Sequence, residues 1–197
     1  MKTHKRPLVQ DCCNSEELLK KFQNYNKILE DIQKCLENYL ETKRGAFPRF
    51  YFLSNDELLE ILSQTRNPHA VQGHLRKCFD NINRIQFTDI EESREIVAMQ
   101  SAEPETQPEV IPFSGSVMAE GAVEHWLQRI QNMMVQSLYD ITKKSYDVYP
   151  ANGLLRDDWL FTYFAQPVLT TDLIKWTEGC ELAIMGIQEG RSTALME

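Results

Sequence analysis

Apolar residues recur early in the chain at Leu18, Phe22, Tyr25, Leu29, Ile32, Leu36 and Tyr39. The steps alternate four and three, which is the spacing of a heptad seam. Leu19, Ile28, Cys35 and Leu40 widen the stripe, toward a helix packed into a bundle rather than a strict coiled coil. Asn14 or Ser15 can cap its start, Glu16 and Glu17 favour its first turn, and Gly45 ends it. A helix of about 29 residues spans about 44 Å, whereas a compact globule of this chain length is about 42 Å across. The expected body is therefore elongated and strut-like.

The pattern then shortens. Phe50-Tyr51-Phe52-Leu53 reads as a buried strand. Ser54-Asn55-Asp56-Glu57 is a capping box, and Leu58, Leu59, Ile61 and Leu62 follow as one side of a helix of about three turns. Asn67-Pro68 stops and restarts the chain. The next helix is predicted to reach Ile82, burying Val71, Leu75, Cys78 and Phe79. Ile85 with Phe87, Ile96 to Met99, and Val110-Ile111 with Phe113 read as strands. Pro112 marks an edge, and Gln100 to Glu109, with Pro104 and Pro108, is an exposed connection.

Beyond Gly121, helical spacing returns at Val123, Trp126, Leu127, Ile130, Met133, Met134, Leu138 and Ile141. Pro150 and Asn152-Gly153 end that helix. A short helix around Trp159 is predicted from Arg156 to Phe164, halted near Pro167. Thr170 or Thr171 would cap a last helix carrying Leu173, Ile174, Trp176, Cys180 and Leu182. The predicted fold is mainly α, an elongated helical bundle or arch with a small antiparallel β-hairpin or sheet inserted at about residues 85–113. Residues 1–14 are expected to be a flexible start, 15–189 the helical region, and 190–197 a frayed end.

Composition narrows the function classes. A net charge of −8 lacks the basic face that nucleic acid or an anionic membrane requires. No run reaches the roughly 18 apolar residues of a membrane span. Met1 to Gln10 is basic but has no apolar stretch behind it, unlike a secretory signal. Cys12, Cys13, Cys35, Cys78 and Cys180 are an odd set without framework spacing, so reduced, mostly buried thiols are expected.

Signatures of chemistry are scarce. Lys143-Lys144-Ser145 lacks the glycines of a phosphate loop. His74 and Cys78 lie one turn apart but have no convergent second pair, and His69 faces elsewhere. Asp157-Asp158, Glu91-Glu92 and Asp56-Glu57 sit where acids favour helix starts. The Met133-Met134 pair fits a core better than an adaptable groove. No catalytic, cofactor-binding or metal-binding residue is assigned.

The wording of several stretches resembles dynein heavy chains. Phe47 to Pro68, reading FPRFYFLSNDELLEILSQTRNP, is similar to the family's linker region. So are Ile28 to Leu36, Tyr39 to Arg44, His74 to Phe79 and Met99 to Glu103. Gly121-Ala122-Val123-Glu124 with Trp126-Leu127, Arg156 with Trp159, Ala165-Gln166, and Ile174 with Trp176-Thr177-Glu178 complete the series in family order. The resemblance covers about residues 15–187. It departs at Pro104 after Glu103, where the family continues with Gly, and at Tyr163-Phe164, where Trp or Tyr-Pro is usual.

The resemblance implies the C-terminal part of the linker, a mechanical lever of an axonemal type of heavy chain. It implies no catalytic site in this segment, with ATP and magnesium confined to the AAA+ ring elsewhere in the family. Expected partners are that ring, other dynein chains and, indirectly, microtubules, in the cytoskeleton of the ciliary axoneme; neither nucleic acid nor membrane is expected. Ring, stalk and microtubule-binding region lie outside these residues, so an excised segment or truncated product is expected. The alternatives are a stand-alone helical adaptor that binds a protein through an apolar helix face, and an enzyme with an unrecognised site.

Overall fold

The structure, a computed structural model, describes residues 16–63, 67–89, 93–101, 107–150 and 155–191. The flexible start predicted for residues 1–14, the cap candidates Asn14 and Ser15, the Glu91-Glu92 pair and most of the predicted frayed end lie outside the described residues. The chain divides into two compact units, Met1–Leu59 and Glu60–Glu197.

In the first unit the heptad stripe forms helix α1, Glu16–Ala46, with Glu16 and Glu17 in its first turn and Lys43 and Arg44 in its last. It continues one residue past Gly45, which sits in open space within the last turn. The strand predicted at Phe50 to Leu53 is instead a 3-10 helix, Pro48–Phe52. Proline presets the φ of a first helical turn. The Phe50 N–H donates to Phe47 O at 3.0 Å and the Leu53 N–H to Phe50 O at 3.1 Å. This three-residue period buries Phe47, Phe50 and Leu53, and the rings of Phe47 and Phe50 meet edge to face at 5.0 Å. A strand would alternate; the 3-10 turn leaves Tyr51 and Phe52 exposed. The Tyr51 hydroxyl donates to the Glu41 carboxylate, and Arg44 donates to Leu53 O at 3.2 Å and Asn55 Oδ1 at 2.8 Å.

The capping box forms as predicted at the start of helix α2, Asn55–Ser63. The Ser54 N–H donates to Glu57 Oε2 at 3.0 Å, and the Glu57 N–H donates to Ser54 Oγ at 3.3 Å.

In the second unit Asn67 caps as expected, its side chain accepting from the His69 N–H at 3.2 Å. The chain then forms a 3-10 helix, Pro68–His74, and one α-turn, α3, Leu75–Cys78. The helix therefore stops four residues short of Ile82. Phe79 turns extended, and Asn81 takes φ 58, a left-handed conformation asparagine tolerates. Ile82 thus opens a strand.

Three antiparallel strands follow in spatial order β1 (Ile82–Phe87), β2 (Glu95–Ser101) and β3 (Val110–Met118). This is the expected sheet insertion, with β3 and its Pro112 at an edge. Ala98 pairs with Pro112 but Ile96 with Val117, so β3 bulges around Phe113 to Ser116. Each outer strand is engaged at one position by a side chain. The Gln72 amide accepts from Ile85 N–H at 3.1 Å and donates to Ile85 O at 2.7 Å. Buried Ser137 accepts from Ser114 N–H at 2.9 Å and donates its own proton to Met133 O at 2.7 Å.

Helix α4, Val123–Asp147, follows Gly121, whose φ of 81 suits glycine. Its Val123, Trp126, Leu127, Ile130 and Met134 are buried and pack on the sheet through β3. Helix α5, Arg156–Thr162, holds buried Trp159. Helix α6, Ala165–Gln188, begins earlier than predicted. Pro167 does not halt it, because the first helical positions need no intrahelical N–H donor. Thr170 and Thr171 are consequently not caps: Thr170 donates back to Gln166 O at 2.8 Å, and Thr171 is buried beside Thr142. The start of α6 is instead capped from a distance, Glu109 Oε1 accepting from Ala165 N–H at 3.1 Å.

Candidate functional site

The two histidines singled out by sequence have structural partners. His69 stacks on Phe87 with ring centroids 4.0 Å apart, and His74 Nε2 lies 3.5 Å from Glu60 Oε2. Cys78 is buried, but Cys35 is exposed and Cys180 half-buried, so the expectation of mostly buried thiols fails among the described residues; Cys12 and Cys13 lie outside them. A thiol within a helical apolar stripe follows the fate of that stripe. Asp157 and Asp158 occupy the first turn of α5. Among the described residues no three His, Cys, Asp or Glu side chains converge as metal ligands. Met134 is buried, and half-buried Met133 leans over Gly115, its Cε 3.3 Å from where a Cβ would stand.

Sequence reasoning missed a polar clamp joining α4, α5 and α6. Asp172 accepts from Tyr149 Oη at 3.0 Å and from Arg156 at 2.7 Å. Glu178 accepts from Tyr146 Oη at 2.6 Å and from Lys175 Nζ at 3.2 Å. The Lys175 ammonium sits 3.5 Å from the centroid of the Tyr146 ring, a cation–π geometry. Trp159 Nε1 donates to Ser145 O at 3.1 Å, and its ring meets Tyr149 edge-on at 5.1 Å. The Arg156–Asp172 and Tyr146–Glu178 partners stand 16 and 32 residues apart, so no local motif reveals them. The only trace in the sequence is that Thr171, Lys175 and Glu178 recur on one side of a helix.

Charge compensation shapes this cleft of about 440 Å³. The Tyr146 hydroxyl, and then Lys175, hold the Glu178 carboxyl below its usual value. Contact with Tyr146, and then Glu178, holds the Lys175 ammonium above its usual value. Burial first, and Asp172 second, raise the Tyr149 phenol. Each group is stabilised in the charge state it carries at neutral pH, which suits holding helices together more than moving protons.

The exposed apolar faces are the other candidate. On α1, Phe22, Tyr25, Leu29, Ile32, Leu36 and Tyr39 all stand exposed, while Leu40 is buried. On α6, Leu169, Leu173, Trp176, Ile184 and Ile187 are exposed. Apolar stripes of this extent mark surfaces suited to contact with further protein, in the same or another polypeptide.

The chain is also similar to known proteins. The family described as dynein heavy chain, N-terminal region 2, matches residues 1–145. Dynein axonemal heavy chain 6 of Homo sapiens is 42% identical over 188 residues, covering 89% of this chain and 4% of the relative. Dynein axonemal heavy chain 1 of Rattus norvegicus is 44% identical over 169 residues, covering 86% and 4%. Dynein axonemal heavy chain 12 of Mus musculus is 42% identical over 186 residues, covering 94% and 6%. The chain thus spans about 4% to 6% of the length of these relatives. With a family match across most of its length, the chain belongs to the dynein heavy chain family, in its N-terminal region.

Proposed function

We propose that this chain is a C-terminal linker segment of an axonemal dynein heavy chain, a mechanical lever that contributes to ATP-driven, minus-end-directed movement on microtubules in cilia. The observation that supports it best is the family match over residues 1–145, together with helices tied to one another by side chains rather than by loops alone. Trp159 on Ser145, Arg156 on Asp172 and Tyr146 on Glu178 fasten α4, α5 and α6. Fastened helices transmit displacement instead of absorbing it. In this reading ATP and magnesium act in the AAA+ ring, and this segment carries no catalytic residue. Its partners are that ring and other dynein chains.

The lever is tested by breaking α1 in a full-length heavy chain. Leu29→Pro removes an internal hydrogen bond and kinks the helix. The expected outcome is microtubule gliding slowed at least tenfold with basal ATP hydrolysis retained. Unchanged gliding speed would show that the segment bears no load.

The adaptor reading draws on the exposed stripes of α1 and α6. It predicts that the 197-residue chain alone supports its cellular role, whereas the lever reading requires the ring in the same polypeptide. Rescue of a heavy-chain null by this chain alone would favour the adaptor.

A further inference from the structure

The chain carries a net charge of −8, yet one cleft on the second unit is bordered by cations alone. Arg76 on α3 and Arg84 on β1 line this space of about 420 Å³, together with Gln72, Gly73 and Asn83. No carboxylate borders it. Elsewhere Lys21, Arg156 and Lys175 each meet an acid at 2.7 to 3.2 Å. Among the described residues neither Arg76 nor Arg84 forms an ion pair, and both are exposed.

Local geometry builds the cleft. Ile82 pairs with Ser101 but Arg84 with Gln100, so β1 takes two steps where β2 takes one. Asn83 is the extra residue of this bulge. In a regular strand Asn83 and Arg84 would point to opposite faces. Here both border the cleft, the re-aiming of a side chain that a bulge provides. Gln72 is fixed by its two bonds to Ile85, at 2.7 and 3.1 Å, and its amide keeps a second N–H to give. Gly73 adds no bulk, and a Cβ built there would meet nothing within 4 Å.

We propose that this cleft binds a phosphate monoester, carried by a phosphorylated side chain of a protein. Two guanidinium forks offer bidentate hydrogen bonds to a tetrahedral oxyanion. Their two charges match a phosphate dianion better than a single carboxylate. The amides of Gln72 and Asn83 supply further donors. No aromatic side chain borders the cleft, so a nucleotide would have no ring on which to stack its base. A phosphorylated serine needs no such platform. The proposal is independent of the lever reading, since neither arginine takes part in the clamp of α4, α5 and α6.

Titration of the whole chain with N-acetyl-O-phosphoserine amide, at fixed ionic strength, tests it through the arginine Nε–H resonances. Saturable shifts of Arg76 and Arg84 are expected. The same compound with aspartate in place of phosphoserine should bind at least tenfold more weakly. AMP carries the same group and should bind no tighter. Arg76→Gln and Arg84→Gln should each weaken binding at least tenfold, whereas Lys34→Gln, which removes the same charge from α1, should leave it unchanged. Gly73→Glu sets a carboxylate beside the arginines without a clash and should also weaken binding at least tenfold, while Gly73→Ala retains it. Urea melts confirm that each variant is folded. Absence of a saturable shift overturns the proposal. So does equal binding of the aspartate compound, equal weakening by Lys34→Gln, or AMP binding tenfold tighter than the phosphoserine compound.

Discussion

Helices α1 and α4 begin from the same sequence grammar and meet opposite fates. Each is long, with apolar residues at steps of three and four. On α4 the stripe is sealed: Val123, Trp126, Leu127 and Ile130 are at most 2% exposed beside the sheet. On α1, Leu29 is 61% and Phe22 56% exposed. Periodicity specifies which face of a helix could be buried; it says nothing of what buries it. The stability of α4 therefore comes from tertiary packing, and that of α1 from propensity and its few ties near Tyr39 to Ala46.

The contrast can be broken most forcefully at Trp126. Trp126→Ala should destabilise the second unit by about 3–5 kcal/mol, leaving a cavity against the sheet. The matched change Leu29→Ala on α1 should stay within about 0.5 kcal/mol. Urea melts followed by far-ultraviolet circular dichroism measure both, and equal shifts would erase the distinction. Trp159→Phe keeps most of the ring but strands Ser145 O, at a cost of about 1–3 kcal/mol. Ser54→Ala removes the cap of α2 and should cost about 1 kcal/mol.

The clamp gives a pH signature. Glu178 has a folded value below its ordinary 4.5. Its contribution is thus fully present above that ordinary value and is lost as pH falls through the lower, folded one. Lys175 has the opposite sense: its value is raised above 10.5, so its contribution holds below that pH and fades as pH rises through the folded value. The melting temperature of the native chain should therefore approach that of Glu178→Gln at acid pH and separate from it near neutrality. A gap between the two that does not depend on pH would mean that the carboxylate is not engaged.

Local chemistry made part of this structure legible. The Ser54–Glu57 box, the Asn67 cap, the three strands and the α4 stripe all depend on residues within a few positions of one another, and they stand where the pattern puts them. The errors arose where a residue has two readings. Phe50-Tyr51-Phe52 has strand propensity, but Pro48 and the spacing of Phe47, Phe50 and Leu53 drive a 3-10 turn. Pro167 reads as a terminator, yet it is harmless in a first turn. The clamp was invisible because Tyr146 and Glu178 meet only after α4 and α6 pack. The cap of α6 was equally hidden, since Glu109 reaches it across 56 residues.

Native-state hydrogen exchange on the isolated chain tests the contrast between the two helices most directly. Amides of α4 from Leu127 to Met134 should exchange only by global opening, while those of α1 from Tyr25 to Leu36 should exchange orders of magnitude faster. Protection along α1 equal to that of α4 in the monomeric chain would contradict the account.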